Sequence, residues 1–370
     1  MEKAFLLCKY AGVIGQIVPN VWLTNTYSST TRAFVLSHAE NLCITVPAPN
    51  VFQGLTVDTI VCTLQKTDQA SDSFQLRAMR NGSIVELATY ETAKYGDGQR
   101  PISTTINPKS GDLVERIKHR HPELGQLAEI TRGIHSYRIG GYGQTAFGSG
   151  PQTQRDVDER PYHSTSGGKA YRPFIYGRDL RSFAPPQPTE YVKYGPWLAE
   201  PRRPEFFEGA RVYSRKILAD RLIVTLETTN SIADQQVYIT RPTATSVSAP
   251  YLVGILGSSL IAFFIRAYYD EATQVFPQIK VTQLKSLPIR AIKFSDPTDK
   301  ARHDRMVELV ELMLPLHKQL TAAKTPDDKT RLQRQIEATD HRIDQLVYEL
   351  YGLTEDDIKI VEKATCRIQK

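Results

Sequence analysis

The segment from Lys169 to Arg221 carries the residues most suited to binding a polyanion. It holds eleven lysines and arginines against six aspartates and glutamates, so its charge is +5 in a chain of net charge +6. Eight of these cations are arginines, whose rigid fork can bind a phosphate or the O6/N7 edge of guanine. Ten aromatic residues lie among them. The pattern indicates a nucleic-acid surface or, equally, a solvated face in which arginines pair with carboxylates.

Six cations of this region are candidates for contacts with DNA phosphates. They are Lys169, Arg172, Arg178, Arg181, Arg215 and Lys216. Arg178 has an alternative partner in Asp179 or in nearby backbone, because the sequence GRDL is also typical of a tight turn. Residues 213–240 are otherwise rich in apolar and β-branched side chains, which predicts strands. We therefore expect these cations at the edge of a strand-rich domain.

A glycine-rich stretch, RIGGYGQTAFGSG, precedes the cationic segment at residues 138–150. It lacks the GxxxxGK[ST] form of a P-loop and does not open an apolar helix, so a phosphate cradle is disfavoured. A flexible loop inserted into a groove is the better interpretation. Four residues in or beside this stretch are candidate readers of base edges: Tyr137, Arg138, Tyr142 and Gln144. His135 and Ser136 fit equally well as turn residues.

The spacing of the reactive residues indicates neither a metal site nor a catalytic site. The four cysteines contain no CxxC pair and the eight histidines show no HExxH spacing, so we predict no metal ligand. Residues 156–160, DVDER, lack the lysine that follows the paired carboxylates of restriction nucleases. Residues 163–168 juxtapose histidine and serine without a nucleophile elbow. We therefore predict no catalytic residue in this chain.

The composition is that of an ordinary globular protein, with 41% hydrophobic and 23% charged residues. The strongest apolar run, residues 251–265, is too short to span a bilayer and is closed by Arg266. The apolar N-terminal stretch has no clean cleavage site for a signal peptidase. These features predict a cytoplasmic protein with reduced cysteines and no membrane partner.

The order of the sequence patterns predicts four segments. Residues 1–95 alternate apolar strands with a helix at residues 29–39, which predicts an α/β domain with a partly parallel sheet. Residues 96–115 hold glycines and prolines among polar residues and are predicted to be a linker. Residues 116–300 mix strand and helix patterns and are predicted to form a further domain, and residues 301–370 are predicted to be helical.

Three local patterns give sharper predictions. Residues 57–66 form a near-continuous apolar run, which suits a strand covered on both faces. Residues 249–269 predict the main helix of the middle region. In the C-terminal segment, apolar residues recur at steps of three and four, and Thr325 followed by Pro326 can cap a second helix. This combination predicts an antiparallel helical hairpin.

Three stretches resemble, in this order, the C-terminal specificity domain of Taq-type adenine DNA methyltransferases. They are residues 171–183, YRPFIYGRDLRSF, together with residues 210–240 and 251–289. In the helix of the last stretch, Gly257 replaces the asparagine that is usual in the family. The same domain occurs in type IIG restriction–modification enzymes. Residues 341–362 are similar to the end of many of those enzymes, and residues 12–66 look like the second half of their methyltransferase domain.

The resemblance implies a fold of the α/β class, α+β overall. Its parts would be a partial Rossmann-like methyltransferase remnant at residues 1–95, a mixed α/β DNA target-recognition domain at residues 116–300 and a C-terminal antiparallel helical hairpin with its tail at residues 301–370. It also implies a function, which is sequence-specific recognition of double-stranded DNA within a restriction–modification system.

Two motifs of the resembled enzymes are absent from this sequence. One is the glycine-containing turn that binds S-adenosylmethionine, and the other is the Asn/Asp-Pro-Pro-Tyr/Phe motif that holds the flipped adenine. We therefore expect that the chain begins inside the methyltransferase domain, holds no cofactor of its own and is inactive alone.

An incomplete sheet would expose an edge and apolar faces, which favours either a partner chain or a homodimer. A partner chain with the missing motifs would bring S-adenosylmethionine to the complex. Two alternatives to a recognition fragment stay open at this point. One is a subunit that completes an active adenine methyltransferase or endonuclease, and the other is a non-catalytic protein-binding scaffold.

Overall fold

A computed structural model describes residues 1–48, 59–80, 82–104, 108–269 and 278–365 of the chain. The described residues divide into two compact units. Unit 1 comprises Met1–Glu115 and the end of a helix from Arg266 onward, and unit 2 comprises Arg116–Ile265 and the described residues from 278. The division at Glu115 falls at the end of the predicted linker. The C-terminal helices belong to the same compact unit as the strands that precede them.

Unit 1 is a sheet with short helices. Its elements are α1 (Glu2–Leu7), β1 (Val13–Pro19), α2 (Ser29–Ser37), β2 (Ala39–Val46), β3 (Thr59–Lys66), β4 (Ser73–Arg80) and β5 (Ser83–Glu91), and α3 (Pro108–Arg120) begins in it. The described sheet has the strand order β1-β3-β2-β4-β5. Strand β3 is antiparallel to both of its neighbours, whereas β2 and β4 are parallel. The prediction of a partly parallel sheet is therefore confirmed, although β4 and β5 were not predicted.

The core of unit 1 lies on one face of this sheet. Ile60, Cys62 and Leu64 of β3 are buried, whereas the alternate side chains of this strand are only half-buried. The prediction that β3 is covered on both faces is therefore wrong, because the apolar run contains threonines that face outward. Arg32 of α2 is also buried, and its guanidinium donates to backbone carbonyls, including those of Trp22 and Gly98.

Residues of the predicted linker pack into unit 1. Ile102 is fully buried, and its backbone N–H donates to the carbonyl of Leu23. Tyr95, directly before this segment, is also buried and packs against Phe74 and Tyr90. This part of the predicted linker therefore packs with unit 1, and Pro108 and Gly111 near its end lie in α3.

Unit 2 contains the remaining described elements. Its strands are β6 (Ala128–Arg132), β7 (His163–Ser164), β8 (Arg172–Ile175), β9 (Glu190–Val192), β10 (Arg211–Arg215), β11 (Val224–Glu227), β12 (Ile232–Ala233) and β13 (Val237–Pro242). Its helices are α4 (Leu124–Leu127), α5 (Gln154–Glu159), α6 (Ala249–Leu256), α7 (Ser259–Tyr269), α8 (Val281–Lys285), α9 (Pro297–Ala322), α10 (Pro326–Tyr351) and α11 (Glu355–Thr365). The end of α7 is the part counted with unit 1.

The strands of unit 2 form two small sheets. One has the order β11-β10-β13-β6 and is antiparallel throughout. The other has the order β12-β8-β9-β7, in which β12 and β8 are parallel. A shared core contains Phe174, Val192, Phe207, Tyr213 and Ile239. Together with unit 1, this architecture confirms the predicted mixed α/β fold class.

The helix predicted at residues 249–269 is broken into α6 and α7, which meet at an angle of 60°. Ser258 lies at the break, where its hydroxyl donates to the carbonyl of Ile255 and accepts from the N–H of Ile261. Gly257 precedes it at a position where a Cβ atom would lie 2.6 Å from the ring of Phe183. Within the described ranges, no single helix has the length and apolar composition to cross a membrane. The bent pair α6 and α7 reaches that length and composition only when its two helices are taken together.

The predicted helical hairpin is present as α9 and α10. Thr325 caps α10, since its hydroxyl accepts from the N–H of Asp328, and Pro326 occupies the first turn. The predicted apolar seam is buried, with Met306 and Leu309 on α9 and Leu332 and Ile336 on α10. Both predictions are confirmed.

Candidate nucleic-acid interface

The recognition loop, which we define as residues 135–153, is an ordered turn-rich segment of unit 2. The N–H of Gly141 donates to the carbonyl of Arg138 and closes a tight turn. Gly140 lies in this turn with φ of +62°, a conformation that favours glycine. Further along, Gln144 and Pro151 pair as an isolated bridge. The predicted loop is therefore present, but its hydrogen bonds give it a defined shape.

Gln152 anchors the loop from the inside. Its side chain is buried, and its Oε1 atom accepts from the N–H of Arg138 at 2.7 Å. Its Nε2 atom donates to the carbonyls of Ser136 and Trp197 at 3.0 and 3.1 Å. Gly143 packs directly on this amide, since a Cβ atom there would lie 2.5 Å from it. One buried side chain thus ties both ends of the loop to residue 197.

Asp156 is the second anchor and is fully buried at the start of α5. One carboxylate oxygen accepts from the N–H of Ala146, and the other accepts from the hydroxyl of Thr145 and from the N–H and hydroxyl of Thr153. Burial alone would raise the pKa of this carboxyl, but the four hydrogen bonds outweigh it and lower the pKa to about 2. Asp156 is therefore ionised and fully satisfied at neutral pH.

Three of the four predicted base readers extend from this support into solvent. The side chain of Arg138 is 65% exposed, with its nearest acid, Glu200, at 3.8 Å. Tyr142 is 98% exposed, and Gln144 is exposed as well. The fourth, Tyr137, is only half-exposed: its hydroxyl accepts from the N–H of Tyr162, and its ring packs against the core. Its contact with a base stays a prediction.

Three of the predicted phosphate-binding cations surround the turn between β12 and β13. Lys216 donates its backbone N–H to the carbonyl of Gln236 in that turn, and Gly177 packs against the same residue. Arg215 pairs with Val237 in the adjoining strand. We call Arg178, Arg215 and Lys216 the cationic edge. The side chain of Arg178 is 71% exposed and stands over the ring of Tyr176 at 4.5 Å, with Asp179 at 3.9 Å.

The other three predicted phosphate contacts differ in availability. Lys169 is exposed in the turn that leads into β8. Arg181 is exposed, and its guanidinium donates to the carbonyls of Arg178 and Leu180. Arg172 is half-buried and donates to the carbonyls of Asn230 and Phe207. Its contact with DNA stays a prediction, but it would cost two existing hydrogen bonds.

Several further cations of the 169–221 segment are used within the protein. Arg211 is fully buried and donates to the carbonyls of Thr229 and Ser231. Arg202 pairs with Glu200 and Arg203 with Glu129. Arg221 pairs with Asp340 and Asp344 on α10. The segment therefore contains two sets of cations, one exposed or half-buried and the other made of arginines held by acids or carbonyls.

A polar network joins the recognition loop to the cationic edge. Glu190 accepts from both guanidinium nitrogens of Arg160 at 2.9 and 2.7 Å and from the hydroxyl of Tyr176 at 2.6 Å. His163 lies 3.2 Å from Glu190 through Nδ1 and 3.0 Å from the hydroxyl of Ser136 through Nε2. The network therefore runs from Ser136 at the base of the loop to Tyr176 beneath Arg178.

Ser136, His163 and Glu190 are ordered like a nucleophile, base and carboxylate, but their electrostatics favour a structural role. Burial and the neighbouring Arg160 lower the pKa of His163 to about 4, which makes it a weak base at neutral pH. Burial opposes ionisation of Glu190, yet the hydrogen bonds from Arg160 and Tyr176 lower its pKa to about 2. The imidazole is neutral and held between fixed partners, so it positions Ser136.

Asp234 lies beside the cationic edge in the turn after β12. It accepts from the N–H of Gln236 at 2.9 Å. Burial is the main cause that raises the pKa of this carboxyl to about 6, and the nearby Asp179 adds to it, whereas Arg178 opposes it. Asp234 is therefore the acid of this region whose charge changes closest to neutral pH.

The described residues hold no group of three or more His, Cys, Asp or Glu side chains that could bind a metal ion. The cavity of unit 1 lined by Tyr90, Tyr95 and Arg100 has a volume of about 20 Å³, which is room for one water molecule. A cavity of this size does not hold S-adenosylmethionine.

Sequence analysis missed the roles of five buried or half-buried polar residues: Gln152, Asp156, Arg160, His163 and Glu190. One of them had a readable signal. Thr153 and Asp156 have the Ser/Thr-x-x-acid spacing of a capping box, and both of its hydrogen bonds are present at the start of α5. The others gain their partners from distant parts of the chain, so no local pattern marks them.

Residues 172–289 match the family model described as the TaqI-like C-terminal specificity domain. The matched region begins with β8, contains the cationic edge and ends after α8. The resemblance stated from the sequence is therefore confirmed for this part of the chain. A specificity domain serves DNA sequence recognition in restriction–modification systems, so the predicted function class is confirmed with it. A comparison with curated proteins finds no match.

Solved restriction–modification proteins are similar to this chain at low sequence identity. The type IIL enzyme MmeI, solved in complex with DNA, is similar over 96% of this chain and 50% of MmeI, with 11% identity and a TM-score of 0.53. The match with the type IIG endonuclease BpuSI covers 94% of this chain and 48% of BpuSI, with 12% identity and a TM-score of 0.38. The likeness to MmeI establishes a shared fold. This chain spans about half the length of each enzyme.

Proposed function

We propose that the chain recognises a double-stranded DNA sequence within a restriction–modification system, with the recognition loop and the cationic edge as its contact surface. The observation that carries this proposal is the loop itself. It presents Arg138, Tyr142 and Gln144 to solvent from a backbone fixed by the buried anchors Gln152 and Asp156. A side chain that reads base edges needs such support, because its position must be set before binding.

The cationic edge would anchor the duplex, and the loop would read it. Arg178, Arg215 and Lys216 lack close acidic partners among the described contacts, apart from Asp179 at 3.9 Å from Arg178. Phosphate contacts of this kind fix the register of the protein on DNA without selecting a sequence. Arg138 can form a bidentate contact with guanine, and Gln144 can do so with adenine.

Binding of the protein to a random duplex library at two salt concentrations tests the proposal. We expect selection of one short sequence, with affinity that falls steeply as salt increases. Sequence-blind binding that disappears at higher salt would contradict base reading by this chain alone. Binding that is absent, or independent of salt, would instead favour the protein-binding scaffold.

A paired substitution tests the cationic edge. Arg215→Ala with Lys216→Ala should weaken binding to all sequences and reduce the slope of log K against log salt by about one to two, since roughly one counterion is released per phosphate contact. Lys324→Ala with Lys329→Ala is the matched control, because both lysines are exposed beyond this surface on the helical hairpin. Equal slopes for the two double variants would remove Arg215 and Lys216 from the interface.

We also propose that unit 1 binds a partner chain that carries the cofactor and catalytic motifs of an adenine methyltransferase. The supporting observation is exposed apolar surface at the start of the unit, on Leu6 and Leu7 of α1 and on Val13 and Ile17 of β1. Strand β1 is an edge strand of the described sheet. Exposed apolar residues beside a sheet edge are typical of a surface that is covered in an assembly.

Methyl transfer from S-adenosylmethionine to DNA tests this second proposal. We expect activity when the chain is coexpressed with a methyltransferase half that contains both missing motifs, and loss of activity for Val13→Asp with Ile17→Asp. Sedimentation of the chain alone tests whether a second copy of the chain, instead of a partner chain, covers this apolar surface. A dimer that the same substitutions convert to monomer would show that a second copy, and not a partner chain, covers this surface.

A further inference from the structure

Two large apolar side chains, Ile139 and Tyr142, are exposed to solvent at the tip of the recognition loop. Ile139 is 57% exposed and occupies the turn closed between Arg138 and Gly141. Tyr142, three residues on, is 98% exposed. A single exposed apolar residue needs no explanation, but two of them at one loop end, one a β-branched aliphatic and one an aromatic, form a projecting apolar tip.

We propose that Ile139 and Tyr142 form a wedge that enters the bound duplex at one base-pair step and unstacks it. The proposal rests on the DNA-binding function proposed above and adds how the loop engages its target. It assigns recognition partly to the deformability of the sequence at that step, because pyrimidine–purine steps unstack more easily than others. Ile139, which the sequence patterns did not single out, becomes a specificity-determining residue.

The support beneath the tip suits a wedge. Gln152 fixes the backbone of Arg138, directly before Ile139, and its contact with Gly143 fixes the residue directly after Tyr142. Asp156 holds the far side of the loop through Thr145 and Ala146. A side chain that separates stacked bases must resist being pushed aside, and a loop held at both sides of its tip does so with little ordering cost on binding.

Phe147 is the third large exposed apolar residue of the loop, and its contacts differ from those of Ile139 and Tyr142. Phe147 is 39% exposed, and the guanidinium of Arg155 stands over its ring at 3.9 Å. Its ring is therefore committed to a contact within the protein. Tyr142 is almost entirely accessible, which leaves both faces of its ring available for stacking on bases.

Fluorescence of 2-aminopurine, placed in turn at each position of the selected DNA site, tests the wedge. This base brightens when it loses its stacking neighbours. We expect an increase on binding at one step, kept by Tyr142→Phe and lost by Ile139→Ala with Tyr142→Ala. The double variant should lose about 10- to 100-fold in affinity for the selected site, in line with the contribution of aromatic stacking. Tyr27→Ala is the matched control, since Tyr27 is 94% exposed in unit 1.

Two outcomes would overturn the wedge while leaving DNA recognition intact. One is selective binding by the wild-type protein with no brightening at any position. The other is equal loss of affinity for Tyr142→Phe and Tyr142→Ala, which would show that the hydroxyl reads a base edge by hydrogen bonding. Failure of the wild-type protein to select any sequence would count against the proposed function, and so the two failures are distinguishable.

Discussion

Replacing Asp156 by asparagine, a side chain of nearly the same shape, should weaken the attachment of the recognition loop. The carboxylate accepts four hydrogen bonds, two from hydroxyls and two from the backbone N–H groups of Ala146 and Thr153. The N–H of Ala146 meets one oxygen and that of Thr153 meets the other. An asparagine offers one oxygen and one NH₂ group. The hydroxyls can rotate to accept, but one backbone N–H must lose its acceptor.

The structure gives the size of this effect in two ways. A buried N–H without a partner costs roughly 1–3 kcal/mol. The pKa of Asp156 is lowered from 3.8 to about 2. At about 1.4 kcal/mol per pKa unit, that shift also corresponds to about 2 kcal/mol in favour of the ionised folded state. We therefore expect Asp156→Asn to lose about 2 kcal/mol, either from global unfolding or from local opening of the loop.

Denaturant unfolding and amide hydrogen exchange together measure both forms of the loss. At pH 7, the variant should unfold at lower denaturant concentration or exchange the amides of Ala146 and Thr153 more than tenfold faster. Asp158→Asn is the matched control, because Asp158 lies on the same helix, is exposed and accepts from Gln154. Wild-type behaviour of Asp156→Asn in both measurements would refute the role of Asp156 as an anchor.

The effect has a defined dependence on pH. A carboxyl whose pKa is lower in the folded state stabilises the protein fully above its unfolded value, near 4, and loses that contribution as the pH falls toward about 2. The difference in stability between the wild type and Asp156→Asn should therefore shrink below pH 4. A difference that stays constant down to pH 2 would contradict the assignment of the pKa shift to this site.

Two further predictions concern the surroundings of the interface. Arg221→Ala leaves the carboxylates of Asp340 and Asp344 without their cation, and because Asp344 is buried we expect a loss of about 3–5 kcal/mol in denaturant unfolding. A loss below 1 kcal/mol would show that these pairs are solvated. Asp234 should gain a proton as the pH falls through about 6, which removes a negative charge beside Arg178, so affinity for DNA should increase from pH 7 to pH 5. Fluorescence anisotropy with Asp234→Asn checks this, since the variant should lose that part of the pH dependence and an unchanged profile would exclude Asp234.

The helical hairpin was predictable because local information determines it. Apolar residues at steps of three and four mark the buried seam, and Thr325 with Pro326 marks the start of the second helix. The break between α6 and α7 was not predictable in the same way. Residues 251–265 are apolar on every side, so no periodicity shows where the helix ends, and the packing of Gly257 against Phe183 arises only in the folded protein.

The candidate interface was predictable as a region but not residue by residue. Counting charges locates the cationic segment, yet it cannot tell Arg178, which is exposed, from Arg211, which is buried among carbonyls. Partners such as the carbonyls of Thr229 and Ser231 carry no sequence signature. The same limit applies to two tyrosines of the recognition loop, since Tyr137 is half-buried and Tyr142 is almost fully exposed.

The ion pairs of Arg221 bear on how a chimeric protein of this type must be built. Arg221 comes from the segment before β11, and its partner Asp344 on α10 also accepts from the N–H and hydroxyl of Ser259. A transplanted segment that ends before the hairpin would separate Arg221 and Ser259 from Asp344. The buried carboxylate of Asp344 would then lose its partners. The tip of the recognition loop is different, because Gln152 and Asp156 hold it from just beyond its C-terminal end. The tip can therefore be exchanged by itself to graft a new sequence preference. The strands and the helical hairpin must be transferred together as one unit.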